Sequence, residues 1–145
     1  MWFSDYEAFA LLTGLLLLQH GWPQSFPVRI LRRLRRELEG QYARISRQDP
    51  SVLFDEDAVR RSAEPGGLVV GNADPVFLVI ANQKPLKRGR ADAAICGVCR
   101  GMEEVWKFLK REKAQLWTVF ELVENAHALL SQLSRAKPRK RGRGN

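Results

Sequence analysis

The sequence predicts a mainly α, α+β chain: a helical N-terminal unit, one small β-hairpin and a long coiled-coil-like C-terminal helix. Three observations predict it. Apolar residues recur three or four apart from Val28 to Ile45. β-branched residues crowd the stretch "GLVVGNADPVFLVIA" at 67–81, on either side of turn-forming residues. From Ile95 onward an apolar residue returns at every seventh position. The corresponding division is 1–83 for the helical unit with its hairpin, 84–91 for a basic linker, 92–134 for the long helix and 135–145 for a basic tail without structure of its own.

The elements follow in chain order. "SDYE" at 4–7 is a capping box, in which Ser4 accepts from the Glu7 amide and Glu7 reaches back to the Ser4 amide. A helix from Asp5 to Gln19 follows, apolar on most sides and hence expected in the core. Gly14 inside it permits a close neighbour. Gly21 suits a left-handed position after the helix, and Pro23 prevents its continuation. Ser25 is the expected N-cap of the next helix, with Pro27 in its first turn. There Val28, Leu31, Leu34, Leu38, Tyr42 and Ile45 form one apolar stripe, and Gly40 is the point where it would end or bend. Asp55 can cap a short helix through Ala58 and Val59. The run Val76–Ala81 is nearly all apolar, so both of its faces should be covered.

In the last third, Ile95, Met102, Leu109, Leu116, Val123 and Leu130 repeat every seven residues. Val98, Val105, Val119, Ala126 and Leu133 stand three places later, with Glu112 the polar exception. Trp106 and Phe120 widen the stripe. One helix from Met102 to Arg135 would be about 50 Å long, more than so small a domain can cover. The sequence therefore predicts a partner interface at Met102, Val105, Trp106, Leu109, Leu116, Phe120, Val123 and Leu130. Glu112 and Lys113 break the stripe, and a kink or two antiparallel helices is the competing arrangement.

Charge narrows the function. Lys and Arg number 24 against 16 Asp and Glu, for a net charge of +8. That balance favours a polyanionic partner, DNA or RNA before others. The 8–18 run "AFALLTGLLLL" is too short to span a bilayer, and Asp5 and Glu7 stand where a signal peptide would be cationic. No membrane association or secretion is expected. The cysteine pattern suits a reducing, cytoplasmic setting.

Five arginines (Arg29, Arg32, Arg33, Arg35 and Arg36) fall within eight residues. Of these, Arg29, Arg32, Arg33 and Arg36 take the spacing i, i+3, i+4, i+7, which places them on one helical face opposite the apolar stripe. They are the expected nucleic-acid contacts. The linker "KPLKRGR" adds Lys84, Lys87, Arg88 and Arg90, and the tail adds Arg139, Lys140, Arg141 and Arg143. A buried helix, a turn and a basic helix across residues 5–47 resemble the general organisation of helix–turn–helix DNA-binding units, with the hairpin as a possible wing. The bland alternative is a solvated face whose arginines pair with Glu37 and Glu39.

"CGVC" at 96–99 is half of a zinc or redox motif, but it has no second pair, and His20 and His127 do not complete a finger spacing. It reads as small apolar residues on a packed helix, with no metal or other cofactor. Asp55, Glu56 and Asp57 suit a helix start better than catalysis. "GLVVGNADP" lacks the ending of a phosphate loop. Trp117, off the main seam, either packs in the core or marks a partner site. The expectation is a non-enzymatic DNA-binding regulator or accessory protein acting as a homodimer. The alternative is a small structural subunit of a nucleoprotein or multiprotein assembly, its long helix packed on a different protein.

Overall fold

The structure, a computed structural model, describes residues 3–62, 70–82 and 94–136. These form helices α1 (Asp5–Gln19), α2 (Ser25–Arg33), α3 (Arg35–Ile45), α4 (Pro50–Leu53) and α5 (Glu56–Ser62), strands β1 (Val76–Asn82) and β2 (Ile95–Arg100), then α6 (Gly101–Arg111), β3 (Leu116–Glu121) and α7 (Val123–Arg135). The fold is mixed α+β, with a three-stranded antiparallel sheet in the order β2-β1-β3.

α1 begins and ends as its sequence predicts. Both bonds of the capping box are made: Glu7 N–H to Ser4 Oγ at 3.2 Å and Ser4 N–H to Glu7 Oε2 at 2.7 Å. Gly21 ends it with φ +88°, a conformation glycine takes without steric cost. A side chain at Gly14 would start 3.3 Å from Leu31 Cδ1, so the glycine does let α2 approach. α1 is not the central helix, however. Phe9, Thr13 and Leu17 face inward, while Leu11, Leu15 and Leu18 remain exposed.

The predicted helix across 27–45 is two helices. It breaks at Leu34 (φ −95°, ψ 8°), not at Gly40, which lies inside α3. The helical hydrogen bonds to and from Leu34 survive, so the apolar stripe Ile30, Leu34, Leu38, Tyr42, Ile45 still enters one core. Ser25 is the first helical residue of α2 rather than its cap, and α2 has no side-chain cap. Asp55 does cap α5, accepting from Ala58 N–H at 2.9 Å.

β1 is buried along its whole length. Its alternate residues serve two cores. Val76, Leu78 and Ile80 pack with Phe9, Leu17, Phe26 and the α3 stripe. Phe77, Val79 and Ala81 pack with Val105, Phe108 and Leu109 of α6. At about 1.5–3 kcal/mol for each large apolar side chain, this strand is the centre of the stabilisation. Coverage on both faces, expected from the all-apolar run, is provided by the helices packed on either side of the sheet.

The hairpin at 67–81 is not formed. β2 pairs one edge of β1 (Leu78 opposite Val98) and β3 the other (Leu78 opposite Phe120), so neither edge is left for a preceding strand. Residues 70–75 are not a strand, and 63–69 lie outside the described residues. The helix predicted over 92–134 is also corrected: it is β2, α6, β3 and α7. Lys113, with φ +49°, turns the chain out of α6 beside Glu112, where the apolar stripe breaks in the sequence. Beyond it "LWTVFE" is rich in aromatic and β-branched residues, which fit a pleated surface better than a helix. A seven-residue repeat cannot distinguish one long helix from strands and helices whose core positions fall at the same intervals.

Two polar devices join the layers. Asp74, just before β1, accepts from Arg100 Nε and Nη2, each at 3.0 Å, from Gln48 Nε2 at 2.7 Å, and from Arg44 of α3. Glu121 caps α7: its oxygens accept from Val123 N–H and Glu124 N–H at 2.9 Å, and from Asn72 Nδ2 at 3.1 Å.

Candidate nucleic-acid interface

The arginine surface is built by α2 and the start of α3. The inward side of α2 is set by Phe26, Pro27 and Ile30, all buried. At 3.6 residues per turn the opposite side must carry Arg29, Arg32 and Arg33, and all three are exposed. With Gln24, Ser25 and Val28 they line an open concavity of 850 Å³. Arg36, one residue past the first residue of α3, is exposed as well. The break at Leu34 therefore divides the predicted set of four between two helices, three on one and one on the next.

The pairing of these arginines is selective. Glu39 binds Arg35 at 2.8 Å, and Asp74 binds Arg44. Arg35 also lies over the Tyr6 ring, 6.0 Å from its centroid, and Arg29 over Phe26 at 5.9 Å. Among the described residues, Arg32, Arg33 and Arg36 have no carboxylate within ion-pair distance. The pairing of this face with Glu37 and Glu39, the bland expectation, is not what is found. Glu39 is taken by the one clustered arginine that lies off the face.

The remaining predicted contacts, Lys84, Lys87, Arg88, Arg90, Arg139, Lys140, Arg141 and Arg143, lie outside the described residues. The predicted partner seam is dispersed. Val105 and Leu109 are buried in the α6 core and Val123 in the helical core. Phe120 and Leu130 pack half-buried against that helical core. Burial inside the chain's own fold removes these as a continuous outward seam. Trp106 and Leu116 are exposed, and Met102 is half-buried. Trp106 meets the exposed Trp117 edge-on at 6.4 Å. With Met102, Phe77 and Val119 they line a groove of 590 Å³ between α6 and β3.

The cysteines lie on a strand, not a helix. Cys96 packs toward the helical core and Cys99 toward the α6 core, so the two thiols face opposite sides of the sheet. They cannot share a metal ion or bond to each other in this fold. Burial pushes Cys96 up to about 12, against the opposing pull of Arg33 and Arg29. Burial likewise pushes Cys99 up to about 11, with Glu104 adding to the rise. Among the described residues no group of three or more His, Cys, Asp or Glu could hold a metal, and no helix is long and apolar enough to cross a membrane.

Sequence reasoning missed Asp74 and Gly97. Asp74 sits in "NADP", which reads as a turn, and its three partners come from positions 26 to 30 residues away. Gly97 sits within a stretch read as helix. The chain matches no known protein family, no curated protein and no solved structure.

Proposed function

We propose that this protein is a nucleic-acid-binding, and foremost DNA-binding, accessory or regulatory protein that acts by contact rather than catalysis. The observation that carries the reading is the acid-free group Arg32, Arg33 and Arg36 on the outer side of α2 and α3. Exposed guanidinium groups with no carboxylate in ion-pair range suit phosphate oxygens and guanine edges, which arginine binds bidentately. A helix of the width of α2 fits the major groove, and α1, the turn at Gly21 and α2 provide the order of a helix–turn–helix unit. The net charge of +8 supports the same partner. Asp55 is engaged as a helix cap and Asp74 in ion pairs, which favours a non-catalytic role for these acids.

The test is binding of a labelled random DNA duplex and a labelled RNA across a salt series. The intact chain is compared with Arg32→Gln/Arg33→Gln/Arg36→Gln. Each lost phosphate contact lowers the slope of log K against log salt by about 0.9 on duplex DNA. The triple variant should therefore bind more weakly, with a slope smaller by about 2.7. Equal affinity and slope for the two proteins would overturn the reading.

A further inference from the structure

We infer that the half-open indoles of Trp106 and Trp117, with Lys110 and Lys113 beside them, form a second binding site whose ligand is a single-stranded nucleic acid. The site is made where α6 hands the chain to β3. Val105, Phe108 and Leu109 turn inward on the sheet, so Trp106 and Lys110, at i and i+4, come together on the outer side. Lys113, at φ +49°, then turns the chain toward β3. There Trp117 lies opposite Ala81, a residue of the α6 core, and so emerges on the same side of the sheet as α6. The two rings are 54% and 48% exposed and meet edge-on, with 6.4 Å between centroids. In an edge-on pair one ring touches with its rim, and its faces are left uncovered by the other.

Charge and ring exposure select the ligand. Glu103 is held by Lys107 at 2.8 Å and Glu112 by Arg111 at 3.1 Å, while Glu104 accepts from the Arg100 N–H. Among the described residues, Lys110 and Lys113 have no carboxylate within ion-pair distance. Glu121, which also lines the groove, lies four residues along β3 from Trp117, about 13 Å away, and its oxygens are engaged in capping α7. Two uncompensated cations beside two open indoles suit a phosphate chain whose bases stack on aromatic faces. A duplex keeps its base faces stacked inside, so the ligand that uses these rings is the unpaired strand. The site is separate from the arginine face. α6 packs on the side of the sheet that carries Phe77 and Val79, and α2 on the side that carries Leu78 and Ile80. The inference therefore stands whether or not the arginines bind a duplex.

The experiment follows the fluorescence anisotropy of a labelled oligothymidylate, an abasic strand of the same length and a hairpin duplex, each titrated with the full chain. Trp117→Ala, Trp106→Ala and Lys110→Gln/Lys113→Gln serve as variants, each checked by circular dichroism. All four sites are exposed, so the fold should survive. The series is repeated in the Arg32→Gln/Arg33→Gln/Arg36→Gln background, so that the two sites are read apart. Each tryptophan variant should bind oligothymidylate about tenfold or more weakly, and should bind the abasic strand and the duplex as wild type does. The double lysine variant should lower the salt slope on the single strand by about 1.4, at about 0.7 for each phosphate contact. The tryptophan dependence should persist in the arginine-free background. Its loss there would assign the strand to the arginine face and overturn the proposal. Unchanged oligothymidylate binding in both tryptophan variants, an unchanged salt slope in the lysine variant, or an abasic strand bound by wild type as tightly as oligothymidylate overturns it as well. Poly-glutamate that displaces the labelled strand as well as unlabelled oligothymidylate does so too, since an acidic protein segment would then be the better occupant.

Discussion

Phe108 of α6 lies directly over Gly97 of β2: a Cβ added at Gly97 would stand 2.6 Å from Phe108 Cε2 and 3.1 Å from Cδ2. The ring fills the space that the glycine leaves, and that contact seats α6 on the sheet. Phe108 is 8% exposed and joins Val79 and Leu109 in one core.

Gly97→Ala should therefore destabilise the fold, although alanine costs less backbone entropy than glycine in a strand. The overpacking cost is about 1–3 kcal/mol, read as a lower urea midpoint with unchanged slope. Shortening the ring in Gly97→Ala/Phe108→Leu should recover part of the loss. If Gly97→Ala melts at or above wild type, the contact is looser than described.

Asp74 predicts a step at acid pH. Burial pushes its carboxyl up, but the hydrogen bonds from Arg100, Arg44 and Gln48 outweigh burial and hold it below the usual range. Its folded value is thus lower than its unfolded one. The stabilisation is present above the unfolded value near pH 4 and is lost as pH falls through the folded value. Asp74→Asn should be less stable by about 2 kcal/mol at pH 7, because Arg44 and Arg100 lose their counter-charge, and the difference should narrow on acidification. A constant difference from pH 7 to pH 2 would show that Asp74 does not act through its charge.

His127 predicts a second step at milder pH. Burial lowers its value, opposed by a backbone hydrogen bond with Ile45. The ring meets Phe54 edge-on at 5.7 Å, and its Nε2 is buried without a partner. The unfolded state then binds the proton more readily. Stability should begin to fall as pH drops below about 6.5 and level off beneath the folded value. Urea midpoints at pH 7.5 and 5.5 should differ in wild type and differ less in His127→Phe. Identical pH dependence in the two proteins would count against this assignment.

Cys96 and Cys99 should be inert in the native state. With values pushed up to about 12 and about 11, very little thiolate exists at neutral pH. Iodoacetamide at pH 7.5 should label neither thiol within minutes in buffer and both in urea, as read by intact mass. Mild oxidation should not join them to each other. Rapid native labelling would contradict the burial of the thiols, and an intramolecular disulfide would contradict their positions on opposite faces of the sheet.

How much of this was legible varies by element. Ser4–Glu7, Gly21 and Asp55 act through neighbours within a few residues, so their roles could be read from the sequence. The arginine face was legible for the same reason, since helical spacing alone groups Arg29, Arg32 and Arg33. The break at Leu34 carried no mark, because no glycine or proline stands there. The sheet was least legible. β2 (Ile95–Arg100) and β3 (Leu116–Glu121) both pair with β1 and not with each other, and neither segment records that neighbour.

The sequence by itself determined the capped α1, the arginine face and the doubly covered strand Val76–Ala81. In each case local hydrogen bonding or side-chain period is sufficient. Only the tertiary structure decided that the last third is β-α-β-α, that Cys96 and Cys99 part to opposite faces, and which arginines keep an acid partner. Those outcomes depend on which distant residues meet: Leu78 with Val98 and Phe120, Asp74 with Arg44 and Arg100. A seven-residue repeat records how often a side chain is buried but not what buries it, and pairing across the sheet supplies that.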